Sequence, residues 1–147
     1  MSNVMSSVKN EEINEGMELI STHVCKSSDV GFHGNLFGGQ MLAWLDEAAA
    51  AYVCQMCDSP QMVTVKVDTV HFKLPVRPHQ IIKIYGCLKE IRTTSAVVEL
   101  EARRHSPYNG SQKIVCTTTM TFVRIDGDGT AVPIGDHVKD KRFPKGA

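Results

Sequence analysis

Between Gln40 and Cys57 the chain carries Met41, Leu42, Trp44, Leu45, Ala48 to Ala51, Tyr52, Val53 and Met56, with neither glycine nor proline. Apolar residues recur on nearly every side of a 3.6-residue period. The pattern therefore predicts one long helix over 40–57, buried rather than lying on a surface. Four consecutive alanines (Ala48–Ala51) lack bulk and would let a sheet approach closely. Asp58-Ser59-Pro60 ends the run.

After it the period changes to two. Val63, Val65 and Val67 alternate with polar residues, and the apolar phase then switches to Val70, Phe72 and Leu74. A phase switch inside one strand predicts a bulge near Asp68-Thr69. Strands are also predicted over 80–91, 95–105 and 112–125, with Ala96, Val98, Leu100 and Ala102 facing one way and Glu99, Glu101 and Arg103 the other. Ser106-Pro107-Tyr108-Asn109-Gly110 and Asp126-Gly127-Asp128-Gly129 read as turns. Before the helix, 16–25 suits a strand, and 27–39 is a loop containing Gly31, Gly34, Gly38 and Gly39. One strand, a buried helix and four strands on short connections predict an α+β domain, with an antiparallel sheet of about five strands wrapped on the helix.

Length and charge narrow the picture. The 147 residues suit one domain. Residues 1–15 are polar and read as a flexible N-terminal arm, 16–134 as the domain, and 135–147 as a basic C-terminal tail. Sixteen basic residues balance sixteen acidic ones, so no global cationic field points to nucleic acid. No apolar run reaches the roughly 20 residues that span a bilayer, and the N-terminus lacks the apolar core of a secretory leader. Five cysteines leave one that cannot pair within the chain. A reducing cytoplasm is the expectation.

Candidate chemistry concentrates at the start of the helix, in His33-Gly34-Asn35-Leu36-Phe37-Gly38-Gly39-Gln40. A Gly-Gly pair there lets a ligand approach free backbone amides, whose dipoles favour developing negative charge. A loop that merely needs glycine to turn is the bland alternative. Asp46 sits two turns into an otherwise apolar helix, where an acid costs free energy unless it is paired or used. It is a candidate catalyst, the alternative being a carboxylate that meets an arginine or reaches solvent between subunits. Glu47 lies about 100° further round and is the weaker candidate. Cys54-Gln55-Met56-Cys57 matches the redox spacing, but it stands at a helix C-terminus, where the dipole opposes thiolate, and reads as core. Asp126-Gly127-Asp128-Gly129 lacks the further ligands of a calcium loop. The nucleophile elbow, the dinucleotide fingerprint and the P-loop are absent. Arg92-Thr93-Thr94-Ser95 combines a guanidinium with hydroxyls and turn amides that could hold phosphate.

Taken together, the element order, the loop His33 to Gly39, the Leu45-Asp46-Glu47-Ala48 step, the strand Val63-Thr64-Val65-Lys66-Val67-Asp68 and the turn Arg92-Thr93-Thr94-Ser95 resemble the hotdog-fold acyl-CoA thioesterases, in particular the YciA-like and brain-type cytosolic acyl-CoA hydrolases. The resemblance covers about residues 16–134. It implies a curved antiparallel sheet around a central helix and a homodimer with shared active sites, assembled as a trimer of dimers. It implies hydrolysis of acyl-CoA to free acid and CoA, with no cofactor beyond the CoA of the substrate and product. By position it makes Asn35 and Asp46 the catalytic pair across the interface. Gly38 and Gly39 would polarise the thioester carbonyl, and Arg92, Thr93, Thr94, Ser95 and Lys66 would lie toward CoA. No nucleic-acid or membrane partner is implied. A hotdog dehydratase or hydratase, for which His33 could serve, and a non-catalytic acyl-CoA-binding protein are the rival readings.

Overall fold

A computed structural model describes residues 13–146. Most of the expected arm, residues 1–12, lies outside the described residues. The elements are β1 (Glu18–Val24), α1 (Gly38–Met56), β2 (Met62–Phe72), β3 (Ile81–Ile91), β4 (Ser95–His105), β5 (Gln112–Arg124) and α2 (Asp136–Arg142), with a 3-10 turn at Ser27–Asp29. The strands form one antiparallel sheet in the order β1-β3-β4-β5-β2. β1 and β2 are its edges.

One face of the sheet holds Ala96, Val98, Leu100 and Ala102 of β4, Ile82 and Ile84 of β3, and Met120 and Phe122 of β5. All are buried in the same core as Leu45, Ala49 and Val53 of α1. The small side chains on both sides, alanines of β4 against alanines of α1, keep sheet and helix close. The bulge expected near Asp68-Thr69 is present. The β2–β5 register shifts between Asp68 and His71, Thr69 takes φ 36°, and Thr118 Oγ1 donates to the Asp68 carbonyl at 2.9 Å.

Three features differ from the sequence reading. First, α1 begins at Gly38, two residues before the expected start, so both glycines form its first turn. Second, α1 is not buried all round. Ala43, Asp46, Glu47, Ala51 and Gln55 form an open stripe, because a five-stranded sheet covers one side of a helix and leaves the other open. Third, the outer face of β4 is not left to solvent. Glu101 and Arg103 are 5% and 4% exposed. Arg103 Nε donates to Glu101 Oε2 at 2.5 Å, and its other nitrogens donate to Gln112 Oε1 and the Asn14 carbonyl. The guanidinium also lies 3.7 Å from the Tyr85 ring centroid.

Residues of the basic C-terminal tail are folded. Val138 is buried, Lys141 pairs with Asp58 at 2.6 Å, and Arg142 Nε donates to the Met56 carbonyl at 2.8 Å. Arg142 thus satisfies a carbonyl at the negative end of α1.

Candidate active site

The loop before α1 is held by its own backbone. Val30 and Leu36 form an isolated bridge, the Gly31 amide donates to the Asn35 carbonyl at 2.9 Å, and Gly34 turns the chain with φ 83°. Only glycine takes that φ without strain. The Leu36 amide donates to Val76 and the Phe37 amide to Asp29, at 2.6 and 2.8 Å. These bonds fix where α1 starts.

Gln40 and Met41 both donate back to the Phe37 carbonyl, at 3.0 and 3.2 Å. Among the described residues, no hydrogen bond is made by the amides of Gly38 and Gly39. The N-cap residue Phe37 supplies no side-chain cap. The positive end of a nineteen-residue helix is therefore presented through two glycines. A Cβ on Gly39 would sit 2.5 Å from Phe37 Cε2, and one on Gly38 would sit 3.5 Å from Phe72 Cζ. A side chain at position 39 would therefore displace the Phe37 ring, whereas one at 38 would make only ordinary contact with Phe72.

Gly38 lines a cleft of about 320 Å³ together with His33, Asn35, Met41, Phe72 and Val115. Asn35 is half-buried, and its backbone N–H donates to His33 Nδ1 at 3.1 Å. Asp46 does not line this cleft. It stands eight residues beyond Gly38, about 12 Å along the helix axis. Its carboxylate is exposed in the open stripe of α1 and accepts from Thr64 Oγ1 of β2 at 2.5 Å. The sequence reading missed Thr64. The signal was its place in the alternation, since Thr64 falls on the opposite face from Val63 and Val65 and so faces the helix.

Asn35 and Asp46 therefore lie toward opposite ends of β2. Val63 is opposite Val123, which is opposite Ser95, whereas Phe72 is opposite Cys116, which is opposite Ala102. Asp46 with Thr64, and the Arg92–Ser95 turn, belong to the Val63 end. The Asn35 cleft belongs to the Phe72 end, nine strand residues further along β2. In the turn, Arg92 pairs with Glu90 at 2.7 Å. The carbonyls of Thr93 and Thr94 accept from Ile134 and Arg124, and Ser95 is buried. Lys66, exposed on the edge strand, pairs with Asp68 at 3.3 Å.

Burial pushes the Cys57 thiol up to about 11. A thiol held protonated in the core is a packing group, and all five cysteines are free. His23 of β1 stacks on Trp44 with centroids 4.6 Å apart, and burial lowers its pKa. Among the described residues, no three His, Cys, Asp or Glu side chains converge as metal ligands, and no helix is long and apolar enough to cross a membrane.

Comparison with known proteins adds to this geometry. The family model described as the thioesterase superfamily matches residues 33–110. An uncharacterized acyl-CoA thioester hydrolase of Bacillus subtilis, YkhA, is 26% identical over 129 residues, covering 80% of this chain and 74% of that protein. The cytosolic acyl coenzyme A thioester hydrolase of Homo sapiens is 26% identical over 131 residues, 84% of this chain but 34% of the human protein. A hexameric hotdog fold thioesterase of Campylobacter jejuni superposes with a TM-score of 0.79 at 30% identity, covering 88% of this chain and 98% of that one.

Proposed function

This chain belongs to the thioesterase superfamily, and from that premise we propose that it is an acyl-CoA hydrolase, cleaving acyl-CoA with water to a free carboxylic acid and CoA. The observation that carries the chemistry is the start of α1. Two unbonded glycine amides stand at its first turn, backed by the helix dipole, and Gly38 lines a cleft that also holds Asn35. A thioester carbonyl oxygen directed at those amides gains charge as water adds to the carbon, and preorganised donors favour that developing oxyanion. Asp46 is the carboxylate in reach of a subunit partner. It acts as base on the water, or attacks the carbonyl itself to give a mixed anhydride that water then hydrolyses to the free acid and the regenerated carboxylate, while Asn35 orients the water or the carbonyl. Collapse of the tetrahedral adduct breaks the C–S bond. The CoA sulfur leaves and takes up a proton.

The site is composite. β2 is an edge strand, and its Val63, Val65 and Val67 are 38%, 56% and 44% exposed, an arrangement that invites a second strand. Antiparallel pairing of two β2 edges about a two-fold axis sets the early residues of one strand beside the late residues of the other. Asp46 and Thr64 then approach the partner subunit's Asn35. The Arg92–Ser95 turn travels with them toward the same cleft, where Arg92 and the turn meet CoA phosphates. Lys66 is the weaker contributor. Such dimers assemble further as a trimer of dimers, in the cytoplasm, with no cofactor beyond the CoA of the substrate.

The test is CoA release from a panel of acyl-CoAs of different chain length. Stoichiometric free thiol and free acid are expected. Acyl-CoA binding without release, or addition of water across an enoyl double bond with the thioester intact, would contradict the reading.

A further inference from the structure

The side chains of His33 and Lys73 are the titratable groups that line the active-site cleft. His33 is the one bonded to Asn35, whose backbone N–H donates to its Nδ1 at 3.1 Å. An amide N–H can only donate, so Nδ1 carries no proton. A neutral imidazole whose Nδ1 accepts holds its proton on Nε2. The single lone pair of that tautomer is therefore occupied. His33 has none free to take a proton, the role that a dehydratase or hydratase would ask of it.

The bond is built into the loop. His33 and Asn35 stand on either side of Gly34, which turns the chain with φ 83°. A side-chain acceptor bonded to the N–H two residues on closes the turn that Asn and Asp side chains make with their own backbone. Here an imidazole closes it. The ring lies over Gly31, where a Cβ would stand 3.2 Å from Nε2 and 3.4 Å from Cε1, so the glycine leaves room for it. Gly31 also donates its own amide to the Asn35 carbonyl at 2.9 Å. Asn35 is thus held by both backbone groups, its carbonyl by residue 31 and its N–H by residue 33. Among the described residues, the Asn35 side chain makes no hydrogen bond of its own. Its direction is set by the backbone that carries it.

We propose that His33 is a positioning residue for the reaction, its Nδ1 fixing the backbone of Asn35 so that the Asn35 carboxamide meets the water or the thioester carbonyl. Its kinetic consequence rests on the hydrolase reading above, whereas the tautomer and the contact do not. An N–H released from Nδ1 turns to water, the 33–35 turn loosens, and Asn35 no longer arrives in one orientation. Loss of orientation in a group that acts on the reacting atoms lowers the rate of the chemical step more than it weakens substrate binding.

The tautomer is read without turnover. A long-range proton–nitrogen NMR spectrum of the full chain in mildly alkaline buffer, assigned with His33→Ala, is expected to show the His33 proton on Nε2. A proton on Nδ1 overturns the proposal. Kinetics then test the role. His33→Ala is expected to lower kcat for acyl-CoA roughly tenfold, the scale of a modest misplacement, with KM and melting point near wild type. His33→Asn, whose Oδ1 stands where Nδ1 does, should restore most of kcat, and His33→Phe, a ring without an acceptor, should not. Added to Asn35→Ala, His33→Ala should cost nothing further, because a residue that works through Asn35 then has nothing to work through. A wild-type kcat in His33→Ala, an Asn variant no faster than the Phe variant, or a further loss on top of Asn35→Ala overturns the proposal. Failure of the hydrolase reading looks different. Either the wild-type protein releases no CoA or Asn35→Ala keeps full kcat, and both end the kinetic role while the spectrum still decides the contact.

Discussion

Two carboxylates on facing layers of the molecule are treated in opposite ways. Glu101, on the outer face of β4, is shut away from water and clasped by Arg103, whose remaining donors reach Gln112 and Asn14. Asp46, on the helix, stands open to solvent in a single chain with one hydroxyl, that of Thr64, on it. Sequence patterning pointed the other way, toward an acid enclosed by an apolar helix and an outward-facing glutamate. The difference separates two uses of charge. A buried acid with a guanidinium, an amide and a backbone carbonyl around its partner is structure. An acid left accessible, on a helix whose open stripe borders the free edge of β2, is the one we propose for chemistry at a subunit interface.

The largest expected effect is on the structural side. Glu101→Leu strands the Arg103 charge in a buried site and should cost about 3–5 kcal/mol in a urea melt. Adding Arg103→Met should restore most of that, since replacing a buried pair by apolar residues is often neutral. A double variant as unstable as the single would mean that packing, not charge, holds this face. On the functional side, Asp46→Asn should lower kcat by roughly 10²-fold or more, the usual scale for losing a general base, while the melt stays at the wild-type position. A melting point that falls along with kcat would place Asp46 with Glu101 as a structural group. Smaller still is Arg92→Ala. Its guanidinium now serves Glu90 at the surface, so its loss should raise KM for acyl-CoA several-fold and leave kcat nearly untouched, as for any contact equal in ground and transition states. An unchanged KM would leave Arg92 a surface ion pair.

The sequence carried the layer order, the long helix, all five strands and the bulge at Asp68-Thr69, because each follows from a period or a break in it. The start of α1 was misplaced by two residues because glycine enters the first turn of a helix as readily as a loop, and Phe37 is no recognisable cap. The open stripe of α1 was hidden for a different reason. Ala43, Ala51 and their neighbours are small and apolar, and composition cannot tell a surface covered by the chain's own sheet from one awaiting a second subunit. The folded tail escaped notice because Val138 is its single buried anchor within α2 among charged residues. Asn35 and the glycines were legible as a loop motif. That Asp46 lies out of their reach in one chain follows from the eight helical residues between it and Gly38, and the ladder registers, which separate the two ends of β2, agree.

That separation makes the composite site directly testable. Asn35→Ala and Asp46→Ala chains, each nearly inactive alone, should be co-expressed with different tags and the mixed oligomers assayed for CoA release. Random pairing makes half the dimers mixed, and each mixed dimer holds one site with both residues intact. Activity should therefore return to about a quarter of wild type. Confirmed mixed dimers with no activity above that of the parent variants would contradict a site shared between Asp46 of one subunit and the partner subunit's Asn35.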